Sequence, residues 1–454
     1  MKPELFGPLD IIVGAGWLII LLGIIWWVRR INSQELHYRW FIPAFGFRVL
    51  FALLFAIAYA IILPGGGDTL AYHDGAYHLT QLFWDSPLAY FSEMIGTPSH
   101  ETITYHFNNE TGYPPSWIYK EPESFFVCKL ISVFSIFTFN SYIALTLLCA
   151  TFSFLAAWKL YLFVRSYNFC PQWVVVVAIL FVPTVAFWTT GVGKDVFVVS
   201  AFYWLLADLF PIVTGRKRLT FLSLLWICFM LFILYHLRSF MIVAVALPLF
   251  IALMVRLTKR ISSNEKQFLA FRILITGFVI FSLLAFLQFS NFTQMVESNP
   301  YLQEVAVIQK DFAQNKNYTG TRYDLGITEY NAWGLLKAAP LSVFTSFYRP
   351  LPWEADSAFL LISAMENMVL LILTVRFFFF SGNFSQHFKF IRSQEFLVFV
   401  ILFSLILGFL VGFTSGLFNV LVRFKAPFVG LLLIFLAASE KHLKTAKHHR
   451  KSME

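Results

Sequence analysis

Long apolar runs recur along most of this chain, and a run of about 18 residues is enough to cross the roughly 30 Å hydrocarbon core of a bilayer as a helix. No other feature constrains the fold as strongly. In lipid every backbone amide must find its partner inside the chain, so runs of this kind have to be helical unless they close a barrel. They fall at Ile11–Val28, Phe41–Leu63, Ser141–Val164, Trp173–Thr190, Val196–Phe210, Leu219–Tyr235, Phe240–Val255, Phe271–Phe289, Ala358–Val375, Phe396–Phe413 and Ala426–Ala438. Composition agrees. Charged residues make up 13% of the chain, against about 25% for a soluble globule. A soluble enzyme with one anchor is therefore excluded. The expectation is an all-α, polytopic transmembrane helical bundle of about eleven spans, forming one transmembrane domain over residues 1–454.

The net charge of +9 does not point to nucleic acid, because basic residues collect in cytoplasmic loops of membrane proteins. Arg29-Arg30, Arg216-Lys217-Arg218, Arg256 with Lys259 and Arg260, Lys389 with Arg392, and the tail His442–Lys451 all fall on one side of the alternating spans. That side is read as cytoplasmic, with the amino terminus outside. The first apolar run follows a nearly neutral segment, so no cleavable signal peptide is expected. Ser124–Phe139 is apolar but short and carries Lys129; crossing there would put every later basic loop outside. It is read as an interfacial or re-entrant helix. Two large extracytoplasmic loops with interfacial helices result, over residues 64–140 and 290–357. The four cysteines lack metal-ligand spacing and read as small core residues.

Chemistry concentrates where the second span ends. Pro64 and three glycines break the helix, and Asp68, Tyr72, His73, Asp74, Tyr77 and His78 follow within eleven residues. Asp74 and His78 are four apart, as are His73 and Tyr77, so each pair shares a helix face. A plain polar helix would look the same. The outer ends of later spans carry charges that the orientation rule does not explain. Lys194 and Asp195 follow Gly191-Val192-Gly193, Arg238 follows Tyr235-His236-Leu237, Arg349 opens Arg349-Pro350-Leu351-Pro352-Trp353-Glu354, and Arg423 and Lys425 precede the last span. Singly, each reads as a local ion pair, a snorkelling side chain or a helix cap. Together, if they converge, they form an anion site, since Arg presents a fork and Lys a point charge to phosphate oxygens. Glu366 and Asn367 lie in mid-span, as buried hydrogen-bonded groups or as cavity lining. Gly191–Lys194 is no nucleotide-binding loop, because the flanking residues that such a loop needs are missing.

This pattern resembles the integral-membrane glycosyltransferases of the GT-C superfamily and the related lipid-linked polysaccharide polymerases. The likeness rests on the multi-span layout, the acidic first outer loop with Asp68 and Asp74, and the outer cations. Gly193-Lys194-Asp195, Arg349–Glu354 and Asn419…Arg423–Lys425 are similar to segments of bacterial membrane proteins of surface-polysaccharide assembly. The pattern departs from the superfamily in two respects: the acidic loop follows the second span rather than the first, and it lacks a paired metal-type acid motif.

The resemblance implies a polyprenyl-phosphate or -pyrophosphate lipid-linked sugar as donor, a glycan or lipid acceptor, membrane lipids around the protein, and a site facing the periplasm from a bacterial inner membrane. It names no cofactor and leaves a divalent metal open. Asp74 is the expected general base, with Asp68 the second choice and His78 beside them. Lys194, Arg238, Arg349, Arg423 and Lys425 are the expected phosphate ligands, and Tyr72, His73, Asp195 and Glu354 complete the site. A repeat-unit polymerase shares this chemistry, whereas a transporter or flippase of an anionic lipid or solute is the alternative from another class.

Overall fold

The computed structural model describes residues 4–63, 67–261, 320–326, 332–379 and 384–451, together with residues 307 and 311. Among them the regular structure is helical, and one isolated bridge, Arg322 with Leu417, is the sole extended pairing. Among the described residues eight helices are long and apolar enough to cross a membrane. A ninth is added if Phe418–Phe424 and Ala426–Ala438, bent by 65° at Lys425, count as one broken span. The chain is thus a multi-pass helical membrane protein. The expected span Phe271–Phe289 and the expected loop residues Pro64, Gly65 and Gly66 lie outside the described residues, as does most of 290–331.

The described residues divide into two compact units, the first built from residues 1–167, 175–212 and 218–242, the second from 168–174, 213–217 and 243–454. In the first unit, α1 (Pro8–Ile31) starts on Pro8 and carries Asp10 in its first turn and Arg29 and Arg30 in its last, charges that suit the two ends of the helix dipole. α2 (Phe41–Ile57) finishes in a π-turn over Ala58–Ile62. The chain then forms α3 (Gly67–Asp85), α4 (Pro87–Ile95), α5 (His100–His106) and α6 (Ser116–Lys120). α7 (Pro122–Thr138) covers most of the stretch read as an interfacial or re-entrant helix, and it is buried on much of its circumference, packing on α3, α6 and α8 (Tyr142–Arg165). Gly75 permits the closest approach: a Cβ there would sit 2.6 Å from Cys128 Sγ.

The expected span at Trp173–Thr190 is two short helices, α9 (Gln172–Leu180) and α10 (Pro183–Trp188). Pro183 cannot donate to the preceding turn, and the helix breaks before it. α11 (Lys194–Val213) and α12 (Phe221–Arg238) complete the unit. Cys128 and Cys149 are core residues here as expected, whereas Cys228 on α12 is exposed.

The second unit contains most of α13 (Phe240–Ile261), then α14 (Ala332–Tyr348), α15 (Ala358–Phe379), α16 (Phe384–Ser393), α17 (Glu395–Thr414), α18 (Phe418–Phe424) and α19 (Ala426–Lys451). Lipid is as apolar as leucine, so helices here adhere by close packing at small residues. Gly412 on α17 shows it: a Cβ would lie 2.0 Å from the Ser342 carbonyl oxygen of α14. The helix α14 occupies part of the span of sequence read as the second loop. Glu395 is buried at the start of α17 and accepts from Arg216 at 2.8 Å, with Arg256 3.8 Å away.

Candidate functional site

The first unit gathers several of the expected site residues around the amino-terminal half of α7. Asp74 and His78 share a face of α3, with Nε2 of His78 3.8 Å from Asp74 Oδ1. That distance is too long for a direct hydrogen bond. The ring is fixed from its other side: Nδ1 lies 2.8 Å from the Thr111 carbonyl oxygen. A carbonyl only accepts, so Nδ1 carries the proton and, in the neutral ring, Nε2 is the basic atom. The turn that presents this carbonyl is held by Asn108, whose Oδ1 accepts from the amides of Glu110 and Thr111. Gly112, at φ +66°, lets it approach, since a Cβ there would lie 2.6 Å from His78 Cε1.

Lys194 comes to the same place from the first turn of α11, its Nζ 3.4 Å from Glu123 at the start of α7. Asp74 and Lys194 both act electrostatically on the buried Cys128 thiol. Burial raises that thiol, the Asp74 carboxylate raises it further, and Lys194 opposes it. A carboxylate on α3 and an ammonium at the start of α11 thus lie within electrostatic range of the same thiol. Glu123 is 60% exposed, so its pair with Lys194 is screened and weak.

Asp195 is the next residue. It accepts from Nη2 of Arg238 at 2.6 Å, with 4% and 7% of the two side chains exposed. Arg238 is thus tied to Asp195 and fixes the first turn of α11, which carries Lys194. Beside it on α12 the His236 ring stacks on Phe126 of α7 at 4.8 Å. Three other expected residues lie on the same helix, α3. Tyr72 is buried; His73 is buried too, its Nε2 donating to the Asn140 carbonyl at 2.9 Å and tying α3 to the turn before α8. Asp68 is exposed in the first turn of α3, where a carboxylate suits the helix dipole.

The second unit assembles the late motifs into a cluster of its own. Glu354 accepts from Nε of Arg349 at 2.9 Å, from its Nη2, and from the Leu351 amide at 2.8 Å. Burial alone would raise the Glu354 carboxyl, but these hydrogen bonds and the Arg349 charge hold it below its ordinary value. The guanidinium lies over the Tyr323 and Phe418 rings at 5.6 and 5.1 Å. Asn367 donates to the Pro350 carbonyl at 2.9 Å and accepts from Lys425, which also reaches the Arg349 carbonyl at 3.4 Å. Lys425 is 1% exposed. Its ammonium serves the backbone of the Arg349 loop and the Asn367 side chain. Glu366 adds a carboxylate within electrostatic range of Lys425. Arg423, partly buried on α18, has interactions of its own.

Sequence reasoning missed three polar groups. Arg48 is buried in the middle of α2 with hydroxyl partners. Lys159 pairs with buried Asp208 between α8 and α11. On α4 Glu93 accepts from His106 at 2.7 Å and from the Tyr119 hydroxyl at 3.2 Å. Burial, partly offset by the Thr102 hydroxyl at 2.6 Å, pushes Tyr119 up to about 12. The signal for Arg48 and Asp208 was in the sequence, as ionisable residues inside apolar runs. Among the described residues no three His, Cys, Asp or Glu side chains gather in a metal-binding group.

Comparison with protein-family models, with curated proteins and with solved structures finds no match. The class therefore rests on the fold and its polar clusters: a multi-pass helical membrane protein with ionisable groups built into its helix junctions.

Proposed function

We propose that this chain is a membrane glycosyltransferase that takes a sugar from a polyprenyl-phosphate carrier and passes it to a glycan or lipid acceptor. In this reading it works in surface-polysaccharide assembly, in a bacterial inner membrane. It has about eleven spans, and its two large loops and its site face the periplasm. One observation carries the reading: a carboxylate with an oriented histidine (Asp74, His78) and an ammonium on a braced helix start (Lys194) share the field around Cys128.

Sugar transfer needs both kinds of group. An acceptor hydroxyl gives its proton to the Asp74–His78 pair as its oxygen bonds to the anomeric carbon. Nε2 is the free basic atom, and Asp74 stabilises the imidazolium that forms. The bond from that carbon to the phosphate oxygen breaks, and the electron pair leaves on the phosphate. Lys194 offsets the charge that develops there. Arg238 and Asp195 act indirectly, by holding the turn that aims Lys194. A repeat-unit polymerase would use the same steps with a pyrophosphate leaving group.

The test uses purified full-length protein in nanodiscs with a panel of polyprenyl-phosphate and -pyrophosphate hexoses, release of the carrier being followed by mass spectrometry. Wild type should release carrier from one donor class, which separates transferase from polymerase. Asp74→Asn and His78→Gln should lower turnover by about a hundredfold or more with carrier binding kept. Lys194→Ala should weaken carrier binding by about tenfold or more. No release from any donor, together with no binding of polyprenyl phosphate, refutes the reading.

A further inference from the structure

We propose that Arg48 is a positioning residue for this site, acting through Thr189 on the turn that delivers Lys194 and Asp195. The inference rests on the function proposed above for its meaning, but its geometry can be tested without a substrate. Arg48 sits in mid-helix on α2, inside the candidate span Leu36–Ile62, and is 2% exposed. A guanidinium at membrane depth is costly, and such groups as a rule pair with other charges. Among the described residues Arg48 makes no ion pair. Its Nη1 donates instead to two hydroxyls, Ser153 on α8 at 3.1 Å and Thr189 at the end of α10, while Nε has no partner.

The Thr189 hydroxyl shows what this arrangement does. Its own proton goes to the Val185 carbonyl at 2.6 Å, so toward Arg48 it can only accept. A positively charged donor is thus fixed on the first residue of Thr189-Thr190-Gly191-Val192-Gly193. The same turn meets α2 a second time. Gly191 lies flat on Phe55, seven residues beyond Arg48, and a Cβ there would be 2.1 Å from Phe55 Cε1. Phe187 and Trp188 pack on the same ring at 5.2 and 6.4 Å. The turn is therefore fastened to α2 at two points, and Lys194 follows three residues after the second. Holding a catalytic cation to within a fraction of an ångström requires such support from groups that never touch the substrate.

A general bundle clamp would involve Ser153 as much as Thr189; a positioning residue acts through Thr189. The experiment places cysteines at positions 123 and 194 in a Cys228→Ser background and measures their cross-linking by a short bis-thiol reagent. In parallel, Kd for polyprenyl phosphate is measured with native residues 123 and 194. Arg48→Met and Thr189→Val should each lower the cross-linking rate at least fivefold and raise Kd at least tenfold. The double variant should be no worse than either single one. Thr189→Ser, which keeps the hydroxyl, should behave as wild type, and Ser153→Ala should have little effect on either readout. Unchanged cross-linking in monodisperse Arg48→Met or Thr189→Val protein overturns the proposal. So does a loss in Ser153→Ala equal to that in Thr189→Val. If Arg48→Met does not fold, the Thr189 series decides alone. If wild type binds no polyprenyl phosphate, the glycosyltransferase reading fails, while the cross-linking still decides the role of Arg48.

Discussion

Neutralising Asp195 tests whether the start of α11 is held by a desolvated ion pair. Its carboxylate meets Arg238 at 2.6 Å with both side chains at least nine-tenths buried. Asp195→Asn keeps the shape and removes the charge, leaving a guanidinium without its counter-ion. Breaking a buried pair from one side costs about 3–5 kcal/mol. Each group also has a further interaction, which favours the lower end, about 3 kcal/mol. Arg238→Met should cost a similar amount for the same reason. The double variant Asp195→Asn/Arg238→Met removes both charges and should lose about 1 kcal/mol or less, since uncharged residues of similar volume replace a buried ion pair almost without loss. The cycle therefore carries a coupling of several kcal/mol. In detergent each single variant should lower the apparent Tm by about 6–12 °C, at roughly 2–4 °C per kcal/mol for a unit of this size. The double should recover most of it. Single effects that simply add in the double, within about 0.5 kcal/mol, would refute the reasoning.

Gly112→Ala should injure the site more than the fold. A residue with a Cβ at φ +66° costs about 1–2 kcal/mol, and the methyl, 2.6 Å from His78 Cε1, must push the ring off the Thr111 carbonyl. Turnover should fall at least about tenfold, and nitrogen NMR of labelled histidine should show loss of the Nδ1–H tautomer; an unchanged tautomer would sink the orientation argument. The Arg349 loop should be acid-sensitive. The Glu354 carboxyl is depressed in the folded protein, so its contribution is present above its ordinary value of 4.5 and lost as pH falls through the folded value. Wild type should lose thermal stability below about pH 4.5 more steeply than Glu354→Gln, which should be the less stable of the two at neutral pH. Parallel acid profiles would count against the pair.

What the sequence determined by itself is the part governed by local composition. An apolar run in lipid has one way to satisfy its amides, so the helical, multi-pass class and most span positions were legible without a structure. The Asp74–His78 pair was legible too, because a spacing of four places two side chains on one helix face whatever surrounds them. The breaks were harder to read: Pro183 divides α9 from α10 within a run that read as one span.

The tertiary structure decided every choice of partner. Asp195 had Lys194 beside it in sequence and pairs with Arg238, 43 residues away. His78 takes its proton position from the Thr111 carbonyl, and Arg48 spends its charge on hydroxyls of two other helices. The Arg349 loop, Asn367 and Lys425 form one cluster from three separate segments. These depend on how each helix is rotated about its axis and shifted along its neighbours. In a soluble protein the apolar face reveals that rotation, because it must turn away from water. In a membrane all faces are apolar, so rotation and shift are set by close packing at residues such as Gly75, Gly191 and Gly412. That fit between surfaces is a property of the assembled helices, and no window of sequence contains it.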